Sequence, residues 1–327
     1  MKTMTRRWGA IAAASALALG LAACAPTAEE PTDDGAATEW PEEIVLGLVP
    51  SQEVDQLVLD AEVLGDLLSE ELGITVRAEV TDSYNALVVA MQSGQAAIGM
   101  FGPIALVQAA DQAGAEPILQ SVRFGSSTYV TQWFTNDPDR FCETEVVLDE
   151  DGFAFCNGVL DAESGPVGES ALALIEQDEA ISFVDEGSAS GYYYPATQLE
   201  EAGLDPFALS GSFFAGGHPN SVLSVARGDA TVGVSFNDAR GNVVEELPTV
   251  GEDVVVFAWS TAIPNDGVAV AGDLPQDLKD AITEAFLAIA DSEEGLAALD
   301  AVYSIEGLVP ADLDALDAAR QVEANFG

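Results

Sequence analysis

The sequence has very few basic residues. Ten Lys and Arg stand against 56 Asp and Glu, and the formal net charge at pH 7 is −46. Cations so few and so scattered cannot assemble a basic patch, so we do not expect nucleic acid as a partner. We interpret the acidic residues as a solvated surface suited to a salty or acidic exterior. Their field is screened beyond about 8 Å at physiological salt, so local hydrogen-bond donors decide what binds.

Histidine is almost absent, and familiar catalytic motifs are missing. One histidine, His218, cannot supply the cluster that a catalytic metal needs. The segment Gly187-Ser188-Ala189-Ser190-Gly191 has alanine at the centre, where a nucleophile elbow needs serine, and no Walker phosphate-binding sequence occurs. We therefore expect no catalytic residues, no metal and no cofactor. An extracellular hydrolase or a sensor lipoprotein on a two-lobed α/β scaffold is the alternative to the ligand-binding function that the motifs described below indicate.

Long apolar runs are scarce, and the longest lies at the N-terminus. Lys2, Arg6 and Arg7 precede an apolar stretch over residues 11–21, which is too short to span a bilayer core of about 30 Å. This pattern predicts a signal peptide over residues 1–23. Cys24 follows Leu-Ala-Ala and resembles the cysteine of the bacterial lipobox. The resemblance implies cleavage before Cys24 and diacylation of its thiol, hence an extracytoplasmic protein with a lipid anchor in the cell membrane.

The segment after Cys24 lacks apolar periodicity. It consists mainly of Ala, Pro, Thr, Glu, Asp and Gly, a composition that cannot bury enough surface to offset the entropy of ordering. We interpret residues 24–40 as a flexible tether, with the folded part beginning near Trp40.

Only two further cysteines occur, Cys142 and Cys156. In an oxidising compartment such a pair is typical of a disulfide, which would close a short loop. Metal ligation would need more partners than one histidine supplies. We expect a disulfide, with two free thiols as the alternative.

From residue 44 onward the pattern alternates between strand and helix. Three strand–helix units, over residues 44–113, predict a parallel sheet covered on both faces. A second α/β set follows Tyr129, so we expect two lobes that face each other across a cleft. Ligands on such sheets bind beyond the carboxyl ends of the strands, which here are the loops at Pro50-Ser51, at residues 81–84 and at Phe101-Gly102.

The segment from Ser188 to Gly191 places two hydroxyl groups and several backbone amides at a predicted helix N-terminus. Unpaired amides and the positive end of the helix dipole favour an oxyanion there without a cation. By local pattern alone, a simple N-cap role for Ser188 or Ser190 is the favoured interpretation.

Five short motifs occur in order between about residues 44 and 266. They are Met100-Phe101-Gly102-Pro103, Gly114-Ala115-Glu116-Pro117, Gly187-Ser188-Ala189-Ser190-Gly191-Tyr192, Gly216-Gly217-His218 and Ile263-Pro264-Asn265-Asp266. Together they resemble the phosphate, phosphite and phosphonate-binding family of ABC-transporter substrate-binding lipoproteins. The resemblance implies an α/β, two-lobed fold of the type II periplasmic-binding-protein class, with two crossover strands and a ligand cleft between the lobes. Lobe 1 would comprise residues 41–130 and 264–327, and lobe 2 residues 131–263.

The resemblance also implies which residues bind the ligand. Ser188, Ala189 and Ser190, with the amides near Gly191, would hold the phosphorus-bound oxygens. His218 would donate from the same lobe. Tyr84, Phe101 and Gly102 would close from the other lobe, and Phe236 and Asn237 would contact the phosphorus substituent.

The sequence departs from the family at several points. Position 189 is usually threonine in the family and is alanine here, and the segment from Phe134 to Ile181 is longer than its counterpart. No carboxylate pair suited to an amine could be placed. These departures favour phosphite, phosphate or a small alkylphosphonate as the ligand. The resemblance implies a binding protein that delivers this ligand to an ABC permease, and we expect it to be a monomer.

His218 is the one side chain whose ordinary pKa lies near neutral pH. If its ring donates to a bound oxyanion and titrates there, affinity is expected to fall as the pH rises through the pKa of the complex. Without the family register, His218 would be read as a surface turn residue, and Tyr84 as a core residue.

Overall fold

The first three strands and helices lie where the apolar periodicity predicts them. The computed structural model describes residues 40–326. Gly73 ends the first helix in the left-handed region at φ 68°, and the Ser83 side chain caps the second by accepting from Ala86 N. Pro103 occupies the first position of the third helix. The elements are β1 (Glu43–Leu48), α1 (Val54–Leu72), β2 (Thr75–Val80), α2 (Tyr84–Gln92), β3 (Ile98–Phe101) and α3 (Pro103–Ala113).

Twelve further strands and seven further helices complete the described chain. The strands are β4 (Glu116–Val122), β5 (Thr128–Tyr129), β6 (Thr131–Thr135), β7 (Val147–Leu148), β8 (Ala154–Phe155), β9 (Ile181–Phe183), β10 (Phe213–Phe214), β11 (Val232–Phe236), β12 (Val255–Trp259), β13 (Ile263–Pro264), β14 (Gly267–Val270) and β15 (Gly307–Pro310). The helices are α4 (Pro138–Phe141), α5 (Tyr194–Glu201), α6 (His218–Ala226), α7 (Val250–Asp253), α8 (Gln276–Ala290), α9 (Glu293–Tyr303) and α10 (Leu313–Glu323).

The first sheet has the strand order β15-β4-β14-β3-β1-β2. Strands β1, β2 and β3 are parallel, as expected, but β14 is antiparallel to both β3 and β4, and β15 is antiparallel to β4. The expectation of a purely parallel sheet is therefore wrong. The reason is that β14 belongs to the returning chain and enters the sheet between two strands formed much earlier.

The second sheet repeats this plan, with the order β10-β9-β11-β6-β12-β8-β7. Strand β6 is antiparallel to β11 and β12, whereas β9, β10 and β11 are parallel to one another. In each sheet, one central antiparallel strand thus follows directly after the chain has come from the other sheet.

The chain passes between the sheets twice. It leaves the first sheet through β5 and returns through β13, and these two short strands pair with each other. All strands of the first sheet lie within residues 43–122 and 267–310, and all strands of the second within residues 131–259. The division into lobe 1 (41–130 and 264–327) and lobe 2 (131–263) stays a prediction, with which this distribution of strands agrees.

Each sheet has its own hydrophobic packing. One cluster surrounds the first sheet, and two smaller clusters cover opposite faces of the second. Trp133 and Phe134, neighbours in β6, alternate between these two faces, as successive strand residues must. No helix within residues 40–326 is both long enough and apolar enough to cross a membrane. The predicted signal peptide, the lipidation site Cys24 and the tether up to residue 39 lie outside the described residues.

Cys142 and Cys156 form the predicted disulfide. Cys156 is buried in the second sheet's core, and the segment between the cysteines supplies β7 and β8, which extend that sheet beside β12. The long segment from Phe134 to Ile181 therefore adds edge strands to the second sheet.

We expect replacement of both cysteines by alanine to lower the free energy of unfolding. Loss of a cross-link over a loop of this length removes roughly 3 kcal/mol, because the unfolded chain gains freedom. Urea denaturation of the double variant and of the wild type measures the difference. A reductant should weaken the wild type by a similar amount and leave the variant unchanged; equal unfolding midpoints for all samples would contradict a stabilising bond.

Candidate functional site

A cavity with about 370 Å³ of empty space lies at the strand ends of both sheets. The three loops expected to bind ligand all reach it, since β1, β2 and β3 end near its first side and β9, β10 and β11 near its second. Its wall is formed by Val49, Ser51, Gln52, Tyr84, Gly102, Arg123, Tyr129, Ser188, Ala189, Ser190, His218, Phe236, Asp266 and Tyr303.

Direct polar contacts join the two sides of the cavity. The backbone N–H of His218 donates to Ser51 O at 3.1 Å, and Asn242 Nδ2 donates to Gln52 Oε1 at 2.5 Å. The loops of the two sheets therefore close directly on each other around the cavity.

The turn from Asp185 to Gly191 holds the serines in the wall. The Ser188 side chain accepts from Gly191 N at 3.0 Å, and a π-helical turn over Ala189–Tyr193 continues into α5. A side chain at Gly191 would collide with Val184, because a Cβ there would lie 2.4 Å from the Val184 Cβ. Ser188 is thus an N-cap and also a cavity residue, and its hydroxyl hydrogen remains free to point into the cavity.

His218 is the first residue of α6, and its ring is buried. Nδ1 lies 2.8 Å from Ser235 Oγ and 3.4 Å from the backbone N of Phe236, which can only donate. With Nδ1 as the acceptor, the ring carries its proton on Nε2. Burial, together with the nearby positive charge of Arg123, lowers the pKa of His218 to about 3. The ring is a neutral N–H donor at neutral pH.

The expectation that His218 titrates near neutral pH is wrong for the free protein. It assumed an ordinary pKa, but the ring is 96% removed from solvent and faces a guanidinium rather than a carboxylate. Both conditions disfavour the imidazolium.

Three tyrosines and one carboxylate lie on the wall beside Arg123. Burial raises the pKa of Tyr84, Tyr129 and Tyr303, and the Asp266 charge raises each further, so all three phenols stay protonated. The Tyr303 hydroxyl donates to Val49 O at 2.7 Å. Burial also raises the pKa of Asp266, while Arg123 opposes that shift.

Arg123 is held rigidly at the end of β4. It pairs with Ser126 through two backbone hydrogen bonds, of 2.9 and 3.0 Å, around a two-residue turn in which Phe124 and Gly125 have φ 51° and 69°. Its guanidinium lies over the Phe236 ring, with Cζ 4.8 Å from the centroid, and Nη1 is 3.8 Å from Asp266 Oδ2. This places one cation and one anion in the same wall.

Of the ten residues expected to bind ligand, seven line the cavity: Tyr84, Gly102, Ser188, Ala189, Ser190, His218 and Phe236. The other three do not. Phe101 points into the first core and is fully buried there, Gly191 lies behind Ser188, and the Asn237 side chain accepts from Val130 N at 3.0 Å. Asn237 lines a neighbouring cavity, which shares Arg123 and Tyr129 with the first. The structure does not bring these three to the cavity wall, and their contact with a ligand stays a prediction.

The residues missed from the sequence include both charged groups. Asp266 ends one of the quoted motifs but was not assigned a role, and Arg123 stands immediately before a Phe-Gly turn signal after a strand. Tyr129 could have been found as a strand-end residue, whereas Ser51 lies in one of the loops already expected to bind ligand. Tyr303 carried no such signal, because it arrives from a C-terminal helix.

Comparison with known proteins agrees with this geometry. The profile of a family described as "ABC transporter, phosphonate, periplasmic substrate-binding protein" matches residues 46–316. The chain belongs to this family of periplasmic substrate-binding proteins. It is 25% identical to the phosphate-import protein PhnD of Mycolicibacterium smegmatis, over 95% of this chain and 94% of that protein.

Solved structures share the fold. A binding protein component of an ABC phosphonate transporter from Pseudomonas aeruginosa has a TM-score of 0.70 at 19% identity, covering 86% of this chain and 85% of that one. PhnD1 of Prochlorococcus marinus, solved in complex with methylphosphonate, has a TM-score of 0.70 at 17% identity, covering 88% and 98%. These likenesses confirm the expected α/β type II periplasmic-binding-protein fold.

We expect the His218 ring to stay neutral with its proton on Nε2 from pH 5 to 8.5. As the chain contains one histidine, ¹⁵N-resolved NMR of tag-free protein reports this ring alone. The unfolded chain takes up the proton at the ordinary value of about 6.5. Because the unfolded chain binds this proton more readily than the folded protein does, the free energy of unfolding decreases as the pH falls from 6.5 towards 3. A ring titrating between pH 6 and 7 would contradict the assignment.

Proposed function

We propose that the protein is a lipid-anchored substrate-binding protein of an ABC importer that captures a small phosphorus oxyanion and delivers it to the permease. The ligand class comprises phosphite, phosphate and small alkylphosphonates. Membership of the family supports the transport role. The ligand class is inferred from the groups that line the cavity.

The observation that carries this proposal is the set of donors that converge on the cavity. Ser188 and Ser190 supply hydroxyl groups at the start of a helix, and His218 supplies a neutral N–H. The Arg123 guanidinium adds a positive charge from the opposite edge. Donors that are fixed before the ligand arrives suit a compact oxyanion, because each oxygen meets a hydrogen without rearrangement.

Capture would occur by closure of the two sides. The contacts from His218 to Ser51 and from Asn242 to Gln52 cross between loops of the two sheets and enclose the cavity. A ligand that contacts both sides binds the closed form more tightly than the open form and therefore stabilises the closed form. The permease would then recognise the closed shape.

The main alternative, a hydrolase, finds no support in the arrangement of serine and histidine. His218 bonds to Ser235, which lies behind the ring and outside the cavity wall, and the Ser188 hydroxyl oxygen is held by Gly191 N. Neither pair presents a nucleophile and a base together to a ligand. A sensor lipoprotein would use the same cavity without a permease.

A thermal-shift panel tests the proposal. A ligand present at 100 times its Kd adds about 2.7 kcal/mol to the folded state. Phosphate, phosphite, methylphosphonate, aminoethylphosphonate and sulfate are the probes. Stabilisation by at least one phosphorus oxyanion is expected, and no shift with any probe would overturn the binding function.

We expect Ser190→Ala to weaken binding of the best probe by roughly 1.5 to 3 kcal/mol, the usual range for a hydrogen bond to a charged group. Calorimetric titration measures this. Ser188→Ala should weaken binding similarly and should also lower apo stability by about 1 kcal/mol, since its side chain caps the helix. Ser182→Ala is the matched control, because Ser182 is buried in β9 away from the cavity. If Ser190→Ala bound as well as this control, Ser190 would not be a ligand donor.

We expect wild-type protein to partition with membranes and Cys24→Ser protein to be released. A diacyl anchor gives stable attachment, whereas a single chain is marginal. Fractionation of cells after a high-salt wash, followed by immunoblotting, distinguishes lipid anchoring from electrostatic adhesion. A Cys24→Ser variant that stayed in the washed membrane fraction would sink the anchor proposal.

A further inference from the structure

The guanidinium of Arg123 is buried and incompletely hydrogen bonded. Its side chain is 6% exposed, and its Nε atom is buried without a hydrogen-bond partner among residues 40–326. The nearest carboxylate oxygen, on Asp266, is 3.8 Å away. A buried guanidinium that keeps its donors free is costly, and in native structures such groups are satisfied by protein, water or ligand. Arg123 lines this cavity and also the neighbouring one, but only the first contains Asp266 and the donors Ser188, Ser190 and His218, so we place its missing acceptor in the first.

Asp266 imposes the opposite requirement on the same ligand. Its carboxylate also lines the cavity and lies 3.8 Å from the Arg123 guanidinium, an ion pair that favours the ionised form against the rise in pKa that burial causes. An ionised carboxylate accepts hydrogen bonds and donates none. A bound anion without a hydrogen to donate would therefore place an oxygen against a carboxylate oxygen, with both groups unsatisfied.

We propose that Arg123 and Asp266 together select the monohydrogen dianion of orthophosphate. This inference rests on the proposed function and narrows its ligand class. Arg123 favours the ligand's second negative charge, because its own charge is only loosely paired within the protein. Asp266 requires one oxygen of the ligand to keep its proton.

The ionisation chemistry of the candidate anions separates them. Monohydrogen phosphate carries two negative charges and still has one P–OH. Phosphite and methylphosphonate, which have only two ionisable oxygens, lose the P–OH when they gain the second charge. Sulfate has two charges and no hydrogen. Among these anions, phosphate alone meets both requirements at once.

The remaining titratable groups of the wall do not disturb this selection. Tyr84, Tyr129 and Tyr303 keep their protons because burial raises each pKa, and His218 is neutral. Arg123 is fixed by its turn and by the Phe236 ring beneath it, so its charge cannot swing away from the cavity.

Calorimetric titrations at pH 8 with phosphate, phosphite, methylphosphonate and sulfate test the inference. At this pH the three phosphorus anions are mainly dianions, and only phosphate retains a P–OH. Wild-type protein should bind phosphate at least roughly tenfold more tightly than the other three, since each leaves Asp266 without a donor. Binding of methylphosphonate or phosphite as tight as that of phosphate would overturn the inference and leave the proposed function intact. Absence of binding by all four would overturn both.

Two variants assign the selection to named side chains. Arg123→Gln should weaken phosphate by roughly 10- to 150-fold and largely remove its advantage over methylphosphonate, whereas Arg123→Lys should retain the preference. Asp266→Asn should gain affinity for sulfate relative to phosphate, because its amide can donate.

Arg77→Gln, which removes an equal charge from the exposed face of β2, is the control for long-range electrostatics. Thermal melting verifies that each variant is folded. Equal losses for all anions in Arg123→Gln, or unchanged sulfate binding in Asp266→Asn, would contradict the assignment.

Discussion

The buried positive charge of Arg123 determines the state of the groups around it. A cation removed from water must be balanced, and Asp266 at 3.8 Å balances it without satisfying its hydrogen-bond donors. Burial lowers the pKa of His218 and the same charge lowers it further, whereas for Asp266 the charge opposes the rise in pKa that burial causes. The wall thus combines this charged pair with the hydroxyl groups of Ser188 and Ser190 and the N–H of His218. The proposed binding of an anion depends on these local donors, because the protein as a whole has a net charge of −46.

The fold brings these groups together by a simple geometric rule. Ser188, His218 and Phe236 follow the carboxyl ends of parallel strands in the second sheet, and Tyr84 and Gly102 do so in the first. Arg123 and Asp266 lie on either side of the paired segments β5 and β13, where the chain passes between the sheets. The neutral donors are therefore supplied by the two sheets, and the charged pair is supplied by the connection between them.

Much of this site could be predicted from local sequence signals, and the rest depended on long-range pairing. Gly73 and Pro103 mark helix ends by their own backbone preferences, so the first three units were predicted correctly. The serines were found because a Gly/Ser turn before a helix has a local signature. Phe101 was misplaced because the face to which a strand residue points depends on the whole sheet. Arg123 and Asp266 could not be paired from sequence, since nothing local indicates that β4 and β14 are neighbours.

The position of β14 has a consequence for how the protein is made. Strand β14 lies between β3 and β4, although it follows every strand of the second sheet in the chain. As synthesis proceeds from the N-terminus, the second sheet has all its strands while the first still has an open gap with two unpaired edges. Such edges are sites of aberrant strand pairing until they are filled. The first lobe to begin is therefore the last to be completed, and the anion cavity forms only when nearly the whole chain has emerged.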